Sequence, residues 1–229
     1  RKFLFLSLDA KFFLRKANLL KNKARVIEFD DLETFEVTKC KPLSVTLAVE
    51  SRTRRILGIA VSRMPAKGPL VGLARRKYGS RVDERSSGRE RLFREIKDLI
   101  HEDAVIKSDS NPHYPRDVER HFPKARHVTY LGKRGSIGGQ GELKKTRFDP
   151  LFSLNHTCAM LRANINRLFR KTWCTTKRSD RLYAHLALYA GYVKNVNAIA
   201  SELGRMMEDS EKNAIELSEL KRRYGFEWN

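Results

Sequence analysis

Apolar, β-branched runs that deliver carboxylates to their ends constrain this chain most. Val26-Ile-Glu-Phe-Asp-Asp-Leu-Glu-Thr-Phe35 closes on a knot of acids, and two further strand-like runs follow, Leu43-Ser-Val-Thr-Leu-Ala-Val-Glu50 and Arg55-Ile-Leu-Gly-Ile-Ala-Val-Ser62. A fourth, Ala104-Val-Ile-Lys-Ser-Asp109, again ends on a carboxylate. Such runs predict strands. Rigid strands that hold Asp30 and Asp109 together suit a hard divalent cation, because Mg²⁺ prefers oxygen ligands in fixed geometry. Taken singly, either aspartate is also an ordinary turn residue.

Charge gives the pair its context. The 229 residues carry 47 Lys and Arg against 27 Asp and Glu, a formal net charge of +20. Basic residues are spread along the chain, with concentrations at Arg52–Arg55, Arg75–Lys77, Lys144–Lys145 and Arg167–Lys171. That spread predicts a long polyanion as partner rather than one acidic protein, and it does not fit a single amphipathic membrane-surface helix. No apolar run is long enough to cross a bilayer. The three cysteines, Cys40, Cys158 and Cys174, are far apart and form no CxxC pair, so neither zinc nor a disulfide framework is expected. A reducing, cytoplasmic setting fits this usage. The sequence opens on Arg1 rather than Met and is read as a piece whose amino-terminal part lies upstream.

Residues 1–20 place apolar side chains at helical spacing with basic ones between. Ser51-Arg-Thr-Arg54 is short enough to join the second and third strands as an antiparallel hairpin. Residues 75–88 read as a solvated loop, and Arg91–Ile100 as an amphipathic helix crossing over to the fourth strand. Asn111-Pro-His-Tyr-Pro115 reads as a turn, 117–121 as one helical turn, and 125–131 as a fifth strand. The glycine-rich stretch 132–142 lacks the strand and helix context of a phosphate-binding loop. Helices are predicted over Leu154–Lys171 and Arg178–Lys194, followed by a polar helical tail over 198–224.

The order of these elements resembles the ribonuclease-H-like fold. Phe29-Asp-Asp-Leu-Glu-Thr-Phe-Glu36, Lys39-Cys-Lys-Pro42, Met64-Pro-Ala-Lys-Gly68 and Arg170-Lys-Thr-Trp-Cys-Thr-Thr-Lys177 look like insertion-sequence-one-type DDE transposases. The resemblance covers most of residues 1–195. It implies an α/β fold with a mixed five-stranded sheet flanked by helices, a helical amino-terminal linker and a helical carboxy-terminal tail. The corresponding divisions are 1–23, a linker from an upstream DNA-binding region; 24–176, the catalytic domain; and 177–229, the extension.

The same resemblance implies catalytic and metal-binding roles for Asp30, rather than its neighbour Asp31, and for Asp109 in the pair Ser108-Asp109. Counting back from Arg170-Lys171 puts Asn155, with His156 beside it, where the family carries its third acid. An amide oxygen there would ligate a cation without adding charge. Glu142 is the rival third acid, close to the usual spacing from Asp109. Implied DNA contacts are Lys67, His156, Arg162, Arg170 and Lys171, although surface cations on helices serve equally well without DNA. His113 and His156 read as phosphate contacts or structural histidines.

The implied activity is cleavage and strand transfer of double-stranded DNA at transposon ends and target, with Mg²⁺ or Mn²⁺ as cofactor. The implied assembly is a homodimer or higher oligomer on DNA, in a bacterial or archaeal cytoplasm at the nucleoid. The competing reading is a catalytically inactive, transposase-derived DNA-binding protein, favoured by the amide at 155.

Overall fold

The computed structural model describes residues 2–131, 149–168 and 175–193. Five strands, β1 (Ala24–Glu36), β2 (Thr38–Glu50), β3 (Ile56–Arg63), β4 (Ile100–Asp109) and β5 (Arg126–Tyr130), form one sheet in the order β3-β2-β1-β4-β5. β1 and β2, and β2 and β3, pair antiparallel; β1 and β4, and β4 and β5, pair parallel. The helices among the described residues are α1 (Lys2–Leu19), α2 (Leu70–Tyr78), α3 (Arg85–Ile96), α4 (Tyr114–His121), α5 (Phe152–Asn164) and α6 (Ser179–Leu188). The chain is thus α/β, with a mixed five-stranded sheet between helical layers.

Side-chain alternation along the strands explains the layering. On one face Ile27, Phe29 and Ile106 pack with Leu92, Phe93 and Ile96 of α3 and with Tyr114 and Val118 of α4. On the other face Leu32, Val45 and Leu47 pack with Leu154 and Leu161 of α5 and Leu182 and Leu186 of α6. The middle of β2, Val45 to Val49, is buried throughout, as expected of a strand covered on both sides.

Several boundaries differ from the sequence expectation. The stretch 75–88 is not simply a loop: α2 runs through its first residues and α3 starts at Arg85, inside it. Good helix formers (Leu, Ala, Arg, Lys) outweigh the polarity there. Pro69 enters α2 after Gly68, whose φ of 58° suits glycine. α3 ends at Ile96, and after a 3₁₀ turn at Lys97–Leu99 the strand β4 already begins at Ile100. α5 starts two residues early and stops at Asn164, because Ile165 takes extended dihedrals before a second 3₁₀ turn, Asn166–Leu168. α6 ends at Leu188 and widens into a π-helical turn, Tyr189–Val193. The expected glycine-rich loop at 132–142 and helical tail at 198–224 lie outside the described residues.

α1 packs on the body of the domain. The Asn18 amide donates to the Ile56 carbonyl at 3.0 Å, Lys11 pairs with Glu95 at 2.8 Å, and Arg15 donates to the Glu95 carbonyl at 2.6 Å. At its middle, Ala10 meets Gly191 so closely that a side chain at 191 would overlap the Ala10 carbonyl oxygen at 2.4 Å.

The placement of α5 depends on a buried carboxylate of β1. Glu28, 2% exposed, accepts from the Leu154 backbone N–H at 2.9 Å and from the Ser51 hydroxyl at 2.7 Å. Leu151, the residue before α5, makes no side-chain cap. Glu28 therefore serves as the cap from another element, where the helix dipole favours negative charge. Glu28→Ala would orphan both donors and open a void, with an expected loss of about 2–4 kcal/mol in urea unfolding. Glu28→Gln keeps an acceptor and should recover most of that loss.

Candidate functional site

Asp30 and Asp109 come together through the parallel register of β1 and β4. Glu28 pairs with Lys107. Two residues further along each strand, that register sets Asp30 level with Asp109. Alternation turns both toward the α5 face, and both line one cleft of about 390 Å³. Asn111 and Tyr114, from the turn after β4, close one side of it, while Lys67, Arg85 and Arg162 stand at the others.

The electrostatics of the pair are unfavourable for two charges. Burial, and next to it the negative charge of Asp109, push the Asp30 carboxyl up to about 7. Two donors work against this shift, the Asp31 N–H at 2.7 Å and the Tyr114 hydroxyl at 3.0 Å, both on Asp30 Oδ1. Tyr114 is fully buried against Phe29, with ring centroids 4.7 Å apart, and the phenol is held strongly toward its protonated, donating form by burial and by the surrounding aspartates. Asp109 is fixed through the Asn111 N–H, which donates to its Oδ1 at 3.0 Å. The neighbouring Ser108 hydroxyl contacts both the Asp109 carbonyl and the His127 ring.

Asp31 plays a different part. One residue along the strand, it faces α3, where Arg89 approaches its Oδ2 at 3.5 Å and the Thr46 hydroxyl donates to its Oδ1 at 2.5 Å. Arg89, 3% exposed, also binds Asp117 at 2.6 Å and stacks over Tyr114 at 5.2 Å. One buried guanidinium thus ties α3, β1 and α4 together beneath the cleft.

The other expected site residues divide. Lys67 and Arg162 line the cleft, Lys67 as the partner of Glu33. Asn155 does not: its amide donates to Asp149 at 2.6 Å. Its neighbour His156 lies against Arg54 at 3.0 Å and Phe152, at the amino end of α5. α5, FSLNHTCAMLRAN, contains no acidic residue, and it is Cys158, farther along the helix, that feels the charge of Asp30. Among the described residues no group of three His, Cys, Asp or Glu is placed to hold a metal ion. Glu142, Arg170 and Lys171 lie outside the described residues.

Tyr114, Asn111, Arg85 and Arg89 were not singled out from the sequence. Tyr114 and Asn111 sit in a segment whose two prolines signal only a turn; Arg85 sits in the stretch 75–88 that reads as solvated, and Arg89 lies just beyond it, before the helix expected from Arg91. The period-two alternation of β1 was the available signal for separating Asp30 from Asp31. The sequence matches no protein-family model and no curated protein. Among the described residues no helix is long and apolar enough to cross a membrane.

Folded Asp30 holds its proton more tightly than the unfolded chain, whose aspartates titrate near 3.8. The stability this confers is complete below pH ~4 and is lost as pH rises through about 7. Asp30→Asn keeps an acceptor for both donors but carries no charge. In chelator-containing buffer, wild type should lose about 2–4 kcal/mol relative to Asp30→Asn between acid and mildly alkaline pH. Parallel urea-unfolding curves for the two proteins across that range would overturn this account.

Proposed function

We propose that the chain is the catalytic core of a DNA strand-cleaving and strand-transferring enzyme, with a ribonuclease-H-like sheet and a site of the DDE-transposase kind. The observation that carries this reading is the level placement of Asp30 and Asp109 on adjacent parallel strands, facing one cleft. The donor set fits a hard divalent cation: two oxygen ligands whose mutual repulsion a positive ion would relieve. When bound, Mg²⁺ or Mn²⁺ would supply Lewis acidity at the scissile phosphate.

The chain's own residues do the rest. Asp30 and Asp109 would hold the cation, and Tyr114 fixes Asp30 by donating to its Oδ1, which leaves Oδ2 without a hydrogen bond among the described residues. Lys67, Arg85 and Arg162 border the cleft and would balance phosphate charge, Lys67 and Arg85 by exchanging their present partners Glu33 and Asp83. A water or a DNA 3′-hydroxyl attacks phosphorus in line as the opposite P–O bond breaks, so no protein nucleophile is required. With Asn155 engaged by Asp149 and α5 free of acids, Glu142 is the third acid under this reading.

The alternative is a transposase-derived protein that binds double-stranded DNA without cutting it. It is favoured by the sequence of α5, which carries no acid and brings Arg162 rather than a carboxylate to the cleft. In both readings the protein works on DNA, as a dimer or higher oligomer, in a cytoplasmic, nucleoid setting.

Cleavage of supercoiled plasmid and of a pre-nicked duplex, with Mg²⁺ or Mn²⁺ against chelator, separates them. Metal-dependent cutting that Asp30→Asn and Asp109→Asn each reduce by more than about 100-fold is expected; residues that merely support a ligand cost 10- to 100-fold. Glu142→Gln should be as damaging, and Asn155→Glu should change little. Duplex binding without cleavage in either metal would favour the binding protein.

A further inference from the structure

A second cavity, of about 360 Å³, lies beside the β3–α2 connection. Lys67 of that connection lines the cleft, whereas Pro65 and Ala66 line this cavity. Along β1, Asp30 belongs to the first and Glu36 to the second, six residues on, which sets them roughly 20 Å apart at strand rise.

The cavity is basic. Lys41, Arg63, Arg75 and Arg81 line it. Two carboxylates meet these four cations: Glu36 is shared by Arg81 at 3.1 Å and Lys41 at 3.6 Å, and Glu84 holds Arg63 at 2.6 Å. Arg75 makes no side-chain hydrogen bond or ion pair among the described residues. The Arg81 Nε is buried without an acceptor, although its side chain is only 16% exposed. A buried guanidinium N–H left unmatched is costly, and an oxyanion is the acceptor that would satisfy it. Lys41 is held at the mouth between Glu36 and the face of Tyr78, 5.7 Å from the ring centre. Ser179, the first residue of α6, adds a hydroxyl and a helix amino terminus.

We propose that this cavity binds a backbone phosphate of the DNA strand that enters the acidic cleft. The inference rests on the DNA reading above. A separation of roughly 20 Å equals about six nucleotide rises at ~3.4 Å per charge along one strand. One strand can therefore present one phosphate to Asp30 and Asp109 while another, about six nucleotides away, occupies the basic cavity. Anchoring a flanking phosphate fixes the register of the strand without reading its sequence.

The test is the salt dependence of binding to a labelled DNA duplex, with inorganic phosphate as a second probe. Arg75→Gln and Arg81→Gln should each weaken binding and reduce the log–log slope by about 0.9, the share of one phosphate contact. Arg75 is exposed and unpaired, so its variant keeps the test sound should loss of the Arg81–Glu36 pair unfold the protein. Lys124→Gln removes an exposed cation paired with Glu102, at the opposite end of the sheet, and should leave the slope unchanged. If wild type binds duplex with a steep slope and the cavity variants match Lys124→Gln, the cavity assignment is overturned while the DNA reading stands. If inorganic phosphate raises the wild-type melting temperature but not that of the variants, and the duplex slopes agree, the cavity takes a free anion instead. If wild type binds no duplex, the DNA reading falls and this assignment falls with it.

Discussion

Setting two carboxylates level on neighbouring strands and then burying them works against folding, and the rest of the domain is arranged around that opposition. The parallel register of β1 and β4 forces the approach, since a shift by one residue would turn either side chain to the other face of the sheet. Burial and the charge of Asp109 then hold Asp30 near neutrality in its affinity for a proton. The Tyr114 hydroxyl and the Asp31 N–H offset part of the cost. Large apolar layers on both faces carry the remainder, as expected where function and stability compete for the same residues.

Arg89 makes that arrangement rigid. A buried ion pair contributes little net stability, because desolvation consumes most of the attraction, but it is severe on any structure that leaves one charge unmatched. Here a single guanidinium is matched by Asp31 and Asp117 and covered by the ring of Tyr114. Displacing α3 or α4 would expose all of these groups at once. The consecutive acids Asp30 and Asp31 therefore do opposite work: one is left facing a cleft with a raised affinity for protons, and the other is neutralised to hold the wall behind it.

The strands were legible because each run is apolar and β-branched, and Asp109 was legible because it ends such a run; Asp30 was legible as the first of two adjacent acids, although β1 does not end there and continues six residues to Glu36. The helices were legible in number more than in extent. α2 was lost among charges, since a short surface helix with basic residues in its last turn has the composition of a loop. Asn155 was placed by counting from a distant motif, and counting carries no information about which face of a helix meets the sheet. That face is set by Glu28 capping the amino end of α5, a contact between residues 126 positions apart. Tyr114 was hidden for the same reason: its partner is 84 positions away.

The charge of the whole chain and the charge of its cleft have opposite signs, and the difference bears on selectivity. A net +20 draws polyanions from a distance, but only within about a Debye length, ~8–10 Å at physiological salt, do local groups decide what is bound. At that range Asp30 and Asp109 confront an approaching phosphate, while Lys67 and Arg85 are already engaged by Glu33 and Asp83. A phosphodiester gains nothing from these carboxylates until a cation stands between them, whereas in the basic cavity Arg75 and the unmatched Arg81 Nε offer an anion immediate partners. Under the proposed function, DNA would therefore dock through the basic cavity whether or not the cleft is loaded, and the scissile phosphate would settle only when the cation is present. Attachment and chemistry would then be controlled by different charges, Arg75 of α2 and Arg81 after it for the one, Asp30 of β1 and Asp109 of β4 for the other.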